Sequence, residues 1–130
     1  MSTVNIAFPN QIAYSGNRPY ADVVLLGGAA AINPAPTHKC LVDTGADYLQ
    51  LPASAVSAGL LSAGTATSVS TVAGAVPLTL VHNITVSIET CQVTIDVLFD
   101  PSNSTIAIAG RQLLLTAFKM GFRHSDWLWV

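Results

Sequence analysis

The chain has 130 residues, enough for one domain, with 51% apolar residues, 9% charged residues and a net charge of −2. That balance excludes a disordered chain, and five scattered basic residues (Arg18, Lys39, Arg111, Lys119, Arg123) exclude a basic nucleic-acid-binding face. No apolar run approaches the roughly 18 residues of a membrane-spanning helix, so neither nucleic acid nor membrane is an expected partner.

The opening stretch MSTVNIAFPN lacks the basic start and apolar core of a signal peptide, which points to a cytoplasmic, reducing location. Cys40 and Cys91 are far apart and in no metal spacing, and free buried thiols are expected over a disulfide. With so few charges, part of the surface is expected to be covered, by an obligate oligomer or by a ligand in a groove.

In chain order, Tyr20 to Leu26 reads as a strand after an Asn-Arg-Pro turn signal, and residues 27–37 read as a loop rich in small residues and Pro. Lys39 to Val42 is a short strand that enters Asp43-Thr44-Gly45. Pro52 is placed to open a short helix over 53–61 and Gly59 to end it. Residues 69–82 form a hairpin around Ala73-Gly74-Ala75. Leu78, Leu80, Ile84, Val86 and Ile88 then alternate on even numbers, with His82 on the same face, and Cys91, Val93, Ile95, Val97 and Phe99 on odd ones. Such alternation marks half-buried strands, and the change of parity at Glu89-Thr90 marks a reversal. Residues 100–105 are a loop, Ile106 to Ala109 a strand ending at Gly110, and Arg111 to Phe118 the most helix-like segment, extending toward Lys119-Met120-Gly121.

Chemistry concentrates at Asp43. A carboxylate at the mouth of a buried strand loses water on one side and needs donors to hold its charge. Gly45 allows a tight turn and a close main-chain approach, and Thr44 supplies a hydroxyl. Of the histidines, His38, His82 and His124 have no ligand spacing, and His82 is expected to be a hydrogen-bonded structural residue.

Two segments, LVDTGAD at 41–47 and IAIAGRQLL at 106–114, with the hairpin stretch VAGAV at 72–76 between them, make the chain resemble the retropepsin-like aspartic proteases. The resemblance covers about residues 20 to 122. It implies a single domain over residues 1–130, mostly β, with the closed β-barrel fold of that family, one short C-terminal helix and a flap hairpin. It also implies an aspartic endopeptidase that needs neither cofactor nor metal. Asp43 would be the catalytic carboxylate, fixed by Thr44 and Gly45. Ala46, Asp47 and the flap residues Val72, Ala73, Gly74, Ala75 and Val76 would bind a peptide or protein substrate. Gly110 and Arg111 would support the site, with Arg111 paired to Asp47.

Only one Asp-Thr-Gly is present, so the resemblance implies a homodimer whose two-fold axis brings two copies of Asp43 together. Ala46 stands where a serine would donate a hydrogen bond to the carboxylate, which shifts the expected working range toward mildly acidic pH. Trp127 and Trp129 either cap the monomer core or join a sheet between subunits, and the family's interleaved termini favour the second. Two other readings stand beside this one: a catalytically weak peptide-binding or dimerisation module of the same fold, and a β structural subunit in which Asp-Thr-Gly arose by chance.

Overall fold

A computed structural model of the chain describes residues 7–26, 36–72, 74–103 and 106–130. They are mostly strand: β1 (Asn10–Ala13), β2 (Tyr20–Leu26), β3 (Thr37–Val42), β4 (Leu49–Pro52), β5 (Thr65–Thr71), β6 (Gly74–Ile88), β7 (Cys91–Asp100), β8 (Ile108–Ala109), β9 (Met120–Phe122) and β10 (Asp126–Trp129). Two short helices accompany them, α1 (Ala58–Ser62) and α2 (Arg111–Ala117). No helix among the described residues is long and apolar enough to cross a membrane.

Strand alternation builds the main sheet. Along β2, Ala21, Val23 and Leu25 are buried while Asp22 is exposed, the period-two pattern of a strand with one face in the core. β2 pairs with β3 on one side and with β6 on the other. The sheet order β2-β3-β8-β4-β7-β6-β5 therefore curls until β2 meets β6, leaving β5 outside the ring. Closure gives each strand of the ring a partner on both sides, while β5 keeps an outer edge.

The β6–β7 hairpin turns at Glu89-Thr90, with Ile88 opposite Cys91 and Glu89 in the left-handed region at φ 52°. Its alternation departs from the sequence expectation at one place. The register breaks between Val81 and Ile84, Asn83 has φ 59°, and Val81 is buried while His82 is exposed. His82 thus leaves the apolar face on which strict alternation puts it, because an extra residue in the strand resets which side chains point inward.

The helices also correct the sequence reading. Pro52 leads into a 3-10 turn, Ala53–Ala55, and α1 starts only after Ser57, whose hydroxyl accepts from Leu60 N at 3.4 Å. Gly59 lies inside α1 and does not end it. Among the described residues, α1 thus begins later than the segment expected after Pro52, and α2 is the expected short C-terminal helix. α2 stops at Ala117, short of Lys119-Gly121: Phe118 is extended (φ −135°, ψ 155°), and its ring packs against Trp127 and Trp129 at 6.0 and 5.5 Å. Burying that ring against the two indoles outweighs one more helical residue.

The C-terminal strand β10 lies between β1 and β9 in a separate three-stranded sheet. Trp127 is fully buried, stacks on Trp129 at 4.5 Å and donates its Nε1–H to Tyr20 O at 3.0 Å. Both tryptophans therefore cap the core of their own chain, and both edges of β10 are occupied in cis. This corrects the expectation that they join a sheet between subunits: two large rings find their apolar neighbours in Phe118 and in each other.

Leu49, Leu51, Leu113 and Leu114 are completely buried beneath β4 and α2, each stabilising the fold by roughly 1.5–3 kcal/mol relative to exposure. They hold β4 and α2 beside the turn that carries Asp43.

Candidate active site

β8 is inserted between β3 and β4, parallel to the first (Leu41 opposite Ile108, Val42 opposite Ala109) and antiparallel to the second (Gln50 opposite Ile108). The chain leaves β3 at Asp43, turns through residues 44–48 and re-enters the sheet as β4 on the far side of β8. Asp43 stands at that exit. Its N–H donates to Ala109 O at 3.0 Å, which anchors the start of the turn to the end of β8.

The Asp43 side chain is held from within the turn. Gly45 N–H donates to Asp43 Oδ1 at 2.9 Å, and Ala46 N–H donates to Asp43 O at 3.2 Å. A Cβ on residue 45 would lie 3.1 Å from that same Oδ1, so glycine lets the carboxylate approach the main chain closely. Asp43 is half-buried and Thr44 is exposed.

The other half of the turn is tied to α2. Arg111 N–H donates to Ala46 O at 2.8 Å and Gln112 N–H to Asp47 O at 2.9 Å. The first N–H groups of a helix have no partner within it, and here the turn's carbonyls satisfy two of them. The Arg111 guanidinium pairs with the Asp47 carboxylate. A cation at a helix start opposes the helix dipole, and the Asp47 carboxylate offsets that cost.

A cleft of about 800 Å³ opens over this turn. Asp43, Gly45, Ala46, Asp47 and Tyr48 line it from the turn, Gln50 from β4, Thr67–Ser70 from β5, and Leu80 and Leu98 from β6 and β7. The site residues named from sequence thus divide into two groups. Asp43, Gly45, Ala46 and Asp47 come together on the cleft, with Gly110 and Arg111 directly behind them.

The described hairpin residues named from sequence stand elsewhere. Thr71 pairs with Gly74 across the end of the β5–β6 hairpin. Val72 is fully exposed, Ala75 is exposed, and Val76 is half-buried. Gly74 has φ 115°, a conformation that only glycine adopts readily. Ala73 lies outside the described residues. Neither Val72 nor residues 74–76 line the cleft as it stands; the hairpin arm Thr67–Ser70 does.

Sequence reasoning begins the hairpin at Val69 and does not place Thr67–Ser70, Tyr48, Gln50, Leu80 or Leu98 on the cleft. TATSVST carries no large apolar residue to alternate, so periodicity is silent there; its β-branched content was the signal available.

Chemically, the cleft presents two carboxylates of different kinds. Asp47 is committed to a guanidinium. Asp43 is oriented by a main-chain N–H at the edge of a space large enough for several residues of extended peptide. Among the described residues, no group of three or more His, Cys, Asp or Glu is placed to hold a metal ion. No protein-family model matches this chain, and no curated protein matches it either.

Proposed function

We propose that the chain is an aspartic endopeptidase with a retropepsin-like barrel fold, active as a homodimer in which each subunit contributes Asp43. The observation that carries this reading is the placement of Asp43. It sits at the end of a strand flanked by β2 and β8, is oriented by Gly45 N–H, and faces a cleft bounded on its other side by the β5 arm of a hairpin. The Arg111–Asp47 pair and the packing of α2 against the same turn support it.

A single carboxylate is half of the machinery that uncatalysed amide hydrolysis lacks. Two like charges brought within a few ångströms cannot both ionise easily, so a pair of Asp43 side chains would share one proton. The ionised member takes a proton from a water held between them, and the water oxygen attacks the scissile carbonyl carbon. The protonated member donates a hydrogen bond to the carbonyl oxygen as charge develops there. The tetrahedral carbon then expels the amine, which takes up a proton from the dyad. The substrate lies extended along β5, its main chain in reach of the strand's outer edge.

Asp43→Asn tests this reading directly. It leaves the Gly45 contact an oxygen acceptor, so the chain folds as before, while cleavage of peptides falls to background. In a dilution series, activity falls with the square of chain concentration once dimers dissociate. Retention of cleavage in the Asn variant overturns the proposal.

One observation favours a second reading. β10 is paired on both sides within its own chain, so β10 offers no free edge to a second subunit. A chain that dimerises weakly would bind peptides in the cleft without turnover. Peptide binding by wild type with no cleavage at any concentration between about pH 4 and pH 7 selects that reading.

A further inference from the structure

The break in β6 has a particular partner. Val81 pairs with Val97 and Ile84 with Ile95, so His82 and Asn83 together face the single residue Asp96. Two residues against one is a β-bulge, a device that redirects side chains and is common beside active sites. Here it points both residues at one carboxylate oxygen: His82 Nδ1 is 3.1 Å from Asp96 Oδ1, and Asn83 N–H donates to the same atom at 3.3 Å.

The main chain of Asp96 continues the connection. Its N–H donates to Gln112 Oε1 at 3.0 Å, and Gln112 N–H donates to Asp47 O at 2.9 Å. Gln112 therefore holds β7 through its side chain and the active-site turn through its backbone. Leu80, two residues before the bulge, lines the cleft. The base of the hairpin and the turn that carries Asp43 are thus joined by a run of hydrogen bonds through one half-buried amide.

We infer that Gln112 is a positioning residue that couples the hairpin bulge at His82-Asn83 to the Asp43–Asp47 turn, so that movement of the hairpin arm is felt at the carboxylate. Its role in cleavage rests on the peptidase reading; the coupling does not, and it is measured without substrate. The His82 side chain is 59% exposed, so removing it leaves the core intact.

The test is amide hydrogen exchange on the full chain, with and without His82→Ala and Gln112→Leu. Loss of the His82–Asp96 bond is expected to speed exchange of the Arg111 and Gln112 amides about fivefold. Gln112→Leu is expected to do the same, and the double variant to be no faster than Gln112→Leu alone, because the path is already cut. Faster exchange confined to Asn83 and its strand neighbours in His82→Ala, or additive effects in the double variant, overturns the inference. If Gln112→Leu does not fold, His82→Ala alone decides the matter by the same comparison. In a cleavage assay, His82→Ala is expected to lower kcat about threefold with KM within about twofold. A wild type that cleaves nothing counts against the peptidase reading only, and the exchange comparison still decides the coupling.

Discussion

Gly110 lies so close to the main chain of Tyr48 that a β-carbon placed on it would sit 2.3 Å from the Tyr48 carbonyl oxygen and 2.7 Å from both Tyr48 C and N. The contact is backbone on backbone, where β8 ends, α2 begins and the chain passes into β4. No rotamer change relieves it, so the glycine is what lets β8 lie between β3 and β4.

Gly110→Ala is therefore expected to destabilise the fold by about 2–4 kcal/mol, in the range of severe overpacking. Urea denaturation measures it as a lower midpoint with an unchanged slope. A midpoint equal to wild type contradicts the close packing.

The Arg111–Asp47 pair is expected to matter little for stability and much for the site. Both side chains are more than half exposed, and exposed pairs contribute roughly 0–1 kcal/mol. Arg111→Ala should shift the denaturation midpoint by no more than that, while cleavage falls by about tenfold or more as the turn loses its brace. A large stability loss with undiminished activity per folded molecule reverses the assignment.

Stability is expected to decline in acid, with a sign set by two carboxyls. Desolvation works against the charge on Asp96, but hydrogen bonds from His82, Asn83 N–H and Gln112 outweigh it and hold the carboxyl below its usual range. Hydrogen bonds from Arg123 hold Asp126 low as well. A depressed carboxyl contributes stability above its unfolded value of about 4 and loses it as pH falls through the folded value. Midpoints measured from about pH 6 down to pH 3 should therefore fall, and Asp96→Asn should flatten the fall. Glu89 acts the other way: desolvation, aided by the charge of Asp22 and opposed by the Asp22 N–H, pushes it up. Its ionised form is a cost at neutral pH, relieved as pH drops through the raised value. Glu89→Gln keeps the acceptor for Asp22 N–H and is expected to leave the protein as stable or more stable near neutrality.

Both cysteines are free, but they differ. Burial pushes the Cys40 thiol up to about 12, with the charge of Asp22 adding to it, and the side chain has no exposed surface. Thiolate is the reactive form, so alkylation of the native chain should label Cys91 alone and reach Cys40 only after unfolding. Mass spectrometry of the labelled peptides reads the result, and native labelling of Cys40 contradicts it.

Where local pattern carries the information, the order of residues is enough. The strand Tyr20–Leu26 follows from β-rich composition and its alternating apolar residues. The β6–β7 hairpin follows from the parity change at Glu89-Thr90, and the helix at 111–117 from the absence of Gly or Pro in a leucine run. The juxtaposition of Asp43 with Gly45 follows from a turn three residues long, whereas the pairing of Asp47 with Arg111 is expected from the family resemblance. The strands, the helix and the Asp43 turn depend on neighbours a few residues apart, which are written along the chain.

Distance along the chain hides the rest. Insertion of β8 between β3 and β4 depends on a backbone contact between residues 48 and 110 that no periodicity reports. Which hairpin residues face the cleft depends on where β5 leaves the ring, so the plain stretch Thr67–Ser70 lines it while Val72 and residues 74–76 do not. The bulge at His82-Asn83 arises because Asn83 takes a left-handed conformation opposite Asp96, a pairing set across the sheet. Trp127 and Trp129 offer the same apolar surface to a partner or to their own core. Packing against Phe118, with a hydrogen bond to Tyr20, places them in their own core, because those neighbours meet only once the chain has folded.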